Sequence, residues 1–361
     1  MARRSVAATY AAAHAARLYS CRSAPVAFVT EGAEWTIHWI GKGYVDAIEA
    51  RHPGTAQLVG RPYGLFGRIV HFGSQFHWQN WADILPTSNR YVVNYFHGKP
   101  GDGPEMARHV EFFLEKCPRL ERIVTAASKV RRRLARWGVP AEKIATVPLG
   151  VDTACFRPPD EDEREAARSR LGVPKQAICV GSFQKDGVGW GDGREPKMIK
   201  GPDVFVAAMG RLARDHPVFV VLSGPARGYV KTELERLGIP FAHVYPRDYR
   251  EIARIYWSLD LYLVASREEG GPQSVLESMA SGVPLISTRV GMAEDVIAEG
   301  RNGLLVDVGD ADALAARAAE LAGDSDVRRS LRAAGRETAT GYDWSVVAET
   351  LYENVYRELL S

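Results

Sequence analysis

Short apolar runs punctuate the whole chain, and in its second half they follow a regular beat. AICVGSF (177–183), VFVVLSG (218–224), FAHVY (241–245), LYLVAS (261–266), PLISTRVG (284–291) and GLLVD (303–307) alternate with amphipathic stretches of helical length. A strand with one wet face alternates apolar and polar positions; these runs are nearly continuous, as in strands covered on both faces of a parallel sheet. The pattern predicts a doubly wound α/β domain.

The first half repeats the theme less regularly, through VAFVT (26–30), RIVHFGS (68–74), YVVNYFHG (91–98), RIVTAAS (122–128) and KIATVPLG (143–150). It reads as a second such domain. Between the two, FRPPDEDEREAARSR combines two prolines with an acidic run, which marks a boundary near residue 158 followed by a helix start. Asp160-Glu161-Asp162 is therefore expected to cap a helix rather than to hold a metal. Open α/β sheets bind ligands beyond the carboxyl ends of their strands, so two such domains are expected to face each other across a cleft that holds the chemistry.

Charge adds an asymmetry that the formal net of +2 conceals: residues 1–157 carry 21 Lys+Arg against 12 Asp+Glu, and the remainder 25 against 32. A basic first half suits an anionic acceptor or a peripheral membrane contact. Its densest cluster, Lys129, Arg131, Arg132, Arg133 and Arg136, falls on a helical stretch and reads as a solvated face. No run approaches the roughly 18 apolar residues of a membrane span. The opening MARRSVAATYAAAHAARLYS is broken by His14 and Arg17 and reads as a surface helix rather than a signal peptide. Cys21, Cys117, Cys155 and Cys179 lack the spacing of a zinc site or a disulfide framework, so a reducing, cytoplasmic setting is expected, with room for attachment at the inner membrane surface.

The chemistry concentrates in SREEGGPQSVLESMASGVPLISTRVG (266–291). After a strand, Glu268, Glu269, Gly270, Gly271 and Pro272 make a turn, and a short helix runs from Gln273 until Gly282 ends it. Exposed amides at a helix start present unpaired N–H groups and partial positive charge, which suits a diphosphate. Glu269 and Glu277 can then bracket one ligand and accept hydrogen bonds from its hydroxyls, as a sugar and a ribose require.

Glu269 and Glu277, with seven residues between them and followed by SMASGVPLIST, resemble the E-x7-E signature of the retaining glycosyltransferases of family four, a GT-B family. SKVRRRLARWGVPAEKIATVPLGVDTACFRP (128–158), VGSF…IKGPDVFVAAMGRL, GRNGLLVDVGDADALA and the closing YDWSVVAETLYENVYREL are similar to further segments of that family. The resemblance implies a GT-B fold of two Rossmann-like domains. Residues 1–157 with a returning helix at 344–361 would form the acceptor side, and 158–343 the nucleotide-sugar side. It implies that Glu269 holds the donor sugar beside Gly270, Gly271 and Pro272, and that Glu277 holds the ribose. Lys200, in the KG pair of IKGPD, would neutralise the donor phosphates, where a fixed cation helps because charge builds on the departing group. His97, in YFHG, matches the histidine directed at the donor sugar. Alone, His97 is more often structural, and Lys200 alone is an ordinary surface lysine.

Two departures stand out. Where the family has an arginine after the glycine opening its second domain, Ser182 follows Gly181 here, and an insertion (184–199) separates that strand from the KG pair. Loops beyond about 12–15 residues tend to be functional. Lys185, Arg194 or Lys197 could restore the charge, and Lys185 is expected to do so because it is nearest the strand end. The glycines at 187, 189, 191 and 193 open no helix, so they form no dinucleotide fingerprint and read as a mobile or ligand-covering loop. The family's first glycine pair appears as Glu31 and Gly32. Gly32, Trp35, His71, Gln75, His77 and Trp78 are the acceptor-side candidates, although core packing explains the tryptophans equally well.

The expected activity is retaining, metal-independent transfer from a nucleotide diphosphate sugar, UDP-linked first and GDP-mannose second, to a small-molecule or lipid-linked hydroxyl. No cofactor beyond that co-substrate and no nucleic-acid partner are expected. The rivals are an epimerase on the same scaffold and a nucleotide-sugar binder without catalysis.

Overall fold

A computed structural model describes residues 2–32 and 35–361. The chain divides into two compact units, one of Met1–Gly150 with Trp344–Ser361, the other of Val151–Asp343. The break precedes the 157/158 boundary expected from the prolines. Val151 donates its N–H to the carbonyl of Tyr342 at 2.9 Å, and Thr153 Oγ1 donates to Asp343 at 2.6 Å, which ties 151–157 to the second unit. Asp160 caps the helix Glu161–Arg170, accepting from the Glu163 N–H while the Glu163 carboxylate accepts from its own, so the acidic triplet sits at a helix start.

The first unit carries six parallel strands, β1 (Val26–Val29), β2 (Ala56–Val59), β3 (Ile69–Phe72), β4 (Arg90–Asn94), β5 (Arg122–Thr125) and β6 (Ile144–Thr146), in the order β2-β1-β3-β4-β5-β6. Five match the apolar runs. β2, AQLV, escaped the pattern because it is an edge strand with three of its four residues half exposed, too short and too wet to show a buried run. Residues 344–360 return to this unit as helix, Trp344 packing edge-on against Tyr44 at 5.0 Å and Tyr352 stacking on His52 at 3.8 Å.

The second unit repeats the design with β7 (Ile178–Ser182), β8 (Val218–Ser223), β9 (Phe241–Val244), β10 (Leu261–Val264), β11 (Leu285–Thr288) and β12 (Leu304–Val306). Their order, β12-β11-β10-β7-β8-β9, is parallel throughout, as the unbroken apolar runs predict. β8 is buried at every position, and Val180, Val220, Leu263 and Ile286 centre the core. Strand order reverses between β7 and β10 here, and between β1 and β3 in the first unit; at such switch points crossovers leave to opposite faces and open a crevice beyond the carboxyl ends.

Candidate functional site

The second switch point is built from two loops that leave β7 and β10 side by side. Gln184, two residues beyond β7, accepts from Ser266 Oγ, two residues beyond β10, at 3.3 Å, and its amide donates to the Lys200 carbonyl at 2.9 Å. Gly201, which follows Lys200, has φ +63, and a Cβ there would lie 1.9 Å from the carbonyl oxygen of Ala265. Only glycine meets both demands, and that close approach lays the lysine against the β10 loop.

Lys200 Nζ reaches both carboxylate oxygens of Glu269 at 2.7 Å, and Ser266 Oγ donates to Glu269 at 2.8 Å. The pair is largely shielded, with side-chain exposures of 17% and 11%, so it is ionic in surroundings where charge interactions are strengthened. The turn beneath it is braced at three points. Arg267 forms a two-pronged ion pair with Asp203, its N–H bonds the Ile199 carbonyl at 2.8 Å, and the Gly270 carbonyl accepts from Met292 N–H at 3.0 Å. Gly270 is buried, Gly271 is half-buried, and Pro272 precedes the helix Gln273–Ala280.

Glu277 lies on that helix, 5% exposed, within an aromatic cluster. Its oxygens accept from Tyr249 and from Tyr256, the latter at 2.9 Å. Burial pushes its carboxyl up to about 7 even though both hydroxyls pull the other way. Neither tyrosine was visible as a partner in the sequence, because both lie more than 20 residues upstream in a segment without a motif.

An arginine does stand beneath Ser182. Arg227, from the loop after β8, is buried with its guanidinium donating to the carbonyls of Ser182 at 2.6 Å and Ser223 at 2.8 Å, and it pairs with the buried Asp186 at 2.9 Å. It is sealed and neutralised, so it offers no charge to a ligand. Gly181 packs beneath Leu259 and Tyr262.

The insertion is a pinned hairpin rather than a loose loop. Gly187 pairs with Pro196, Lys197 N–H bonds the Asp186 carbonyl at 2.7 Å, and Gly193 accepts from the Tyr229 N–H at 2.9 Å. Gly187 and Gly193 serve close packing, a Cβ on either falling within 2.4 Å of the Ala226 carbonyl oxygen, whereas Gly189 and Gly191 lie in open space. The fold places Lys185 and Lys197 across the hairpin from each other, with Lys197 one turn before Lys200. Burial and then the Lys200 and Lys185 ammoniums depress Lys197, while Glu269 opposes them. Burial also lowers Lys185, whose Nζ lies 3.8 Å from the ring centre of Trp190. Arg194 pairs with Asp192 at the surface, away from this group.

In the first unit, His97 follows β4 in a loop that Gln75 clamps: the Gln75 amide donates to the His97 carbonyl at 2.9 Å and accepts from Phe96 N–H at 3.2 Å. Gln75 is wholly buried, and Trp78 packs against Phe113 at 5.6 Å; both are interior groups rather than groups presented to an acceptor. His71 is also interior, bonded to Asn94 and Tyr356 and held down to about 4 by burial. His77 is half-buried, accepts from Trp81 Nε1 at 3.0 Å, and is lowered to about 4 by burial and by Arg3. Gly32, at φ +75, and Trp35 frame the start of the helix Thr36–Arg51. Glu31, passed over in the sequence, lies at this carboxyl edge with its carboxyl raised by burial and stabilised by Ser74.

Among the described residues, no helix is long and apolar enough to cross a membrane, and no three metal-ligating side chains cluster.

Residues 193–338 match the family model described as glycosyl transferases group 1, a span that holds Lys200, Glu269 and Glu277. Over 330 residues the chain is 32% identical to a D-inositol 3-phosphate glycosyltransferase of Corynebacterium urealyticum, covering 88% of this chain and 75% of that one. Among solved structures it resembles a sucrose-phosphate synthase of Thermosynechococcus elongatus, with a TM-score of 0.74 and 17% identity over 93% of this chain and 99% of the other. It also resembles Anabaena HepE solved with UDP-glucose, with a TM-score of 0.73 and 15% identity over 92% and 99%. At such identities the likeness concerns the fold, which is GT-B: two Rossmann-like domains.

Proposed function

The chain belongs to the glycosyl transferases group 1 family and is a glycosyltransferase, and from that premise we propose that it moves a sugar, with retention, from a UDP-sugar to an anionic polyol. The Lys200–Glu269 pair at the β7/β10 switch point carries this reading. Lys185, Lys197 and Lys200 hold three positive charges against Glu269, a surplus matching the two negative charges of a nucleoside diphosphate sugar. Lysines of the hairpin thus supply the phosphate charge that Arg227 cannot. GDP-mannose is the second donor candidate.

In the proposed reaction the bond between the sugar's anomeric carbon and the β-phosphate oxygen breaks, and its electron pair leaves with the diphosphate. Lys200 and Lys197 stabilise that growing charge. The acceptor oxygen bonds the anomeric carbon from the same face, and its proton passes to the departing phosphate. Glu269 orients the sugar through its hydroxyls, Gly270, Gly271 and Pro272 line the phosphates, and Glu277 takes the ribose. His97 is assigned to the donor sugar, with Gln75 positioning its loop. The cations here are side chains, which supports a metal-independent reaction. The basic first half and the inositol phosphate relatives support a phosphorylated cyclitol, D-inositol 3-phosphate first, as acceptor.

A thermal-shift screen with UDP, GDP, ADP and dTDP, followed by turnover of the matching sugar nucleotide with and without D-inositol 3-phosphate, tests this. UDP is expected to raise the melting temperature, and product to require the acceptor. Sugar rearrangement without acceptor would establish the epimerase instead, and binding without turnover the non-catalytic protein.

A further inference from the structure

At the opposite edge of the second sheet, helices Glu161–Arg170 and Ser325–Thr340 bring arginines against the amino ends of β7 and β10. The acid there is Asp260, and it is spent: it accepts from Arg164 at 2.6 Å, from Arg168 at 2.9 Å, and from the Cys179 N–H at 2.8 Å. Arg168 also donates to the carbonyls of Ser258, Pro174 and Ala177, so both of its terminal amino groups are spent.

Three cations remain in surplus. Arg328 uses one amino group on the Leu321 and Ala322 carbonyls and keeps the rest of its fork. Arg332, one turn on, and Lys175 make no hydrogen bond or ion pair among the described residues. Burial, then the nearby Arg164 and Arg328, hold Arg332 below the ordinary arginine value, with Asp260 opposing. Like charges one turn apart repel, so a fold that packs them gains when an anion enters.

Two cavities that share Arg328 make one hollow along this edge. A cavity of about 320 Å³ is lined by Arg164, Lys175, Asp260 and Arg328 over Ile178 and Leu261, the first residues of β7 and β10. Arg328 also lines an adjoining cavity of about 500 Å³ with Arg332 and Arg336, whose walls include Pro158 and Ala333. We propose that this hollow is a second ligand site, separate from the sugar-nucleotide site, which binds a small molecule carrying two or more phosphate groups.

Guanidinium forks match phosphate oxygens in pairs, and Arg328, which lines both cavities between Lys175 in the smaller and Arg332 in the larger, calls for a ligand of two or three negative charges that reaches across the two. The site is separate because β7, five residues long, spans roughly 16 Å at about 3.3 Å per residue, so one diphosphate cannot touch Arg328 and Lys200 together.

Calorimetric titration of sodium tripolyphosphate into the full chain at near-physiological salt is the test. The wild type is expected to show two classes of site. Lys200→Ala should weaken one, and Arg328→Gln/Arg332→Gln should weaken the other at least tenfold while donor kinetics stay unchanged. Should the double variant melt early, Lys175→Gln, on the exposed wall, is expected to weaken the same class at least threefold. A single class of site that Lys200→Ala removes, or a second class untouched by the arginine and lysine variants, overturns the proposal. Arginine-dependent sedimentation with phosphatidylglycerol vesicles without tripolyphosphate binding overturns it in favour of a lipid surface.

Discussion

The carboxyl edges of the two sheets share a topology and differ in kind. In the second unit the edge is ionic: Lys200 grips Glu269, with Lys185 and Lys197 beside them. In the first, the groups near the edge are amides, aromatics, imidazoles and one carboxyl, with His71 and His77 held neutral by burial and Glu31 pushed by burial toward its neutral form. An ionic edge pays desolvation only if an oppositely charged ligand completes it, whereas a neutral edge orders hydroxyl-bearing molecules through hydrogen bonds. Under the proposed function, the ionic edge of the second unit is the one that takes the phosphates.

The sharpest way to break this contrast is to damage each edge by its own means. Trp78→Ala removes a buried ring from the first unit and is expected to cost about 3–5 kcal/mol in chemical denaturation, with nucleotide affinity of the folded fraction unchanged. Lys200→Ala strands the shielded Glu269 carboxylate, so it is expected to lower the melting temperature and to lower kcat/KM of the folded enzyme roughly 100- to 1,000-fold. If that variant keeps its activity, the ionic edge is not the donor site.

His97→Ala should lower kcat by about 10- to 100-fold with little change in donor KM, the loss of one hydrogen bond to the reacting sugar. Lys197→Ala is expected to raise donor KM about three- to tenfold, and Lys185→Ala less, since a tryptophan ring already holds its ammonium. The reverse ranking would return the phosphate role to Lys185.

The smallest effect separates stability from binding at Glu277. Its carboxyl rises from 4.5 to about 7 on folding, so the neutral form is favoured in the folded chain. Its contribution to stability is present below pH 4.5 and is lost as pH rises through about 7. Ribose hydroxyls are held best by the ionised form, so donor KM should fall a few-fold over the interval in which the melting temperature falls. Glu277→Gln is expected to flatten both profiles, and a pH trend that survives the substitution would assign it to another group.

The sequence by itself determined what depends on neighbours in the chain. Eleven of the twelve strands were legible, most because burial on both faces writes continuous apolar runs and the edge strands β6 and β9 because they still carry short apolar runs, and the helix start at Asp160 because capping is local. The turn at 268–272 was legible from its glycines and proline, and the KG pair only through the family resemblance. Tertiary structure decided what depends on pairs far apart in the chain. Lys200 and Glu269 are 69 residues apart and meet because β7 and β10 are neighbours. Arg227 stands under Ser182 but is consumed by Asp186, so the cations near the Glu269 turn are Lys200 and the hairpin lysines. Gln75 and Trp78 looked available in the string and are enclosed in the fold. Residue type and spacing record which chemistry is on hand, while burial and partners, set only when the sheets close, decide which of those groups remain free to act.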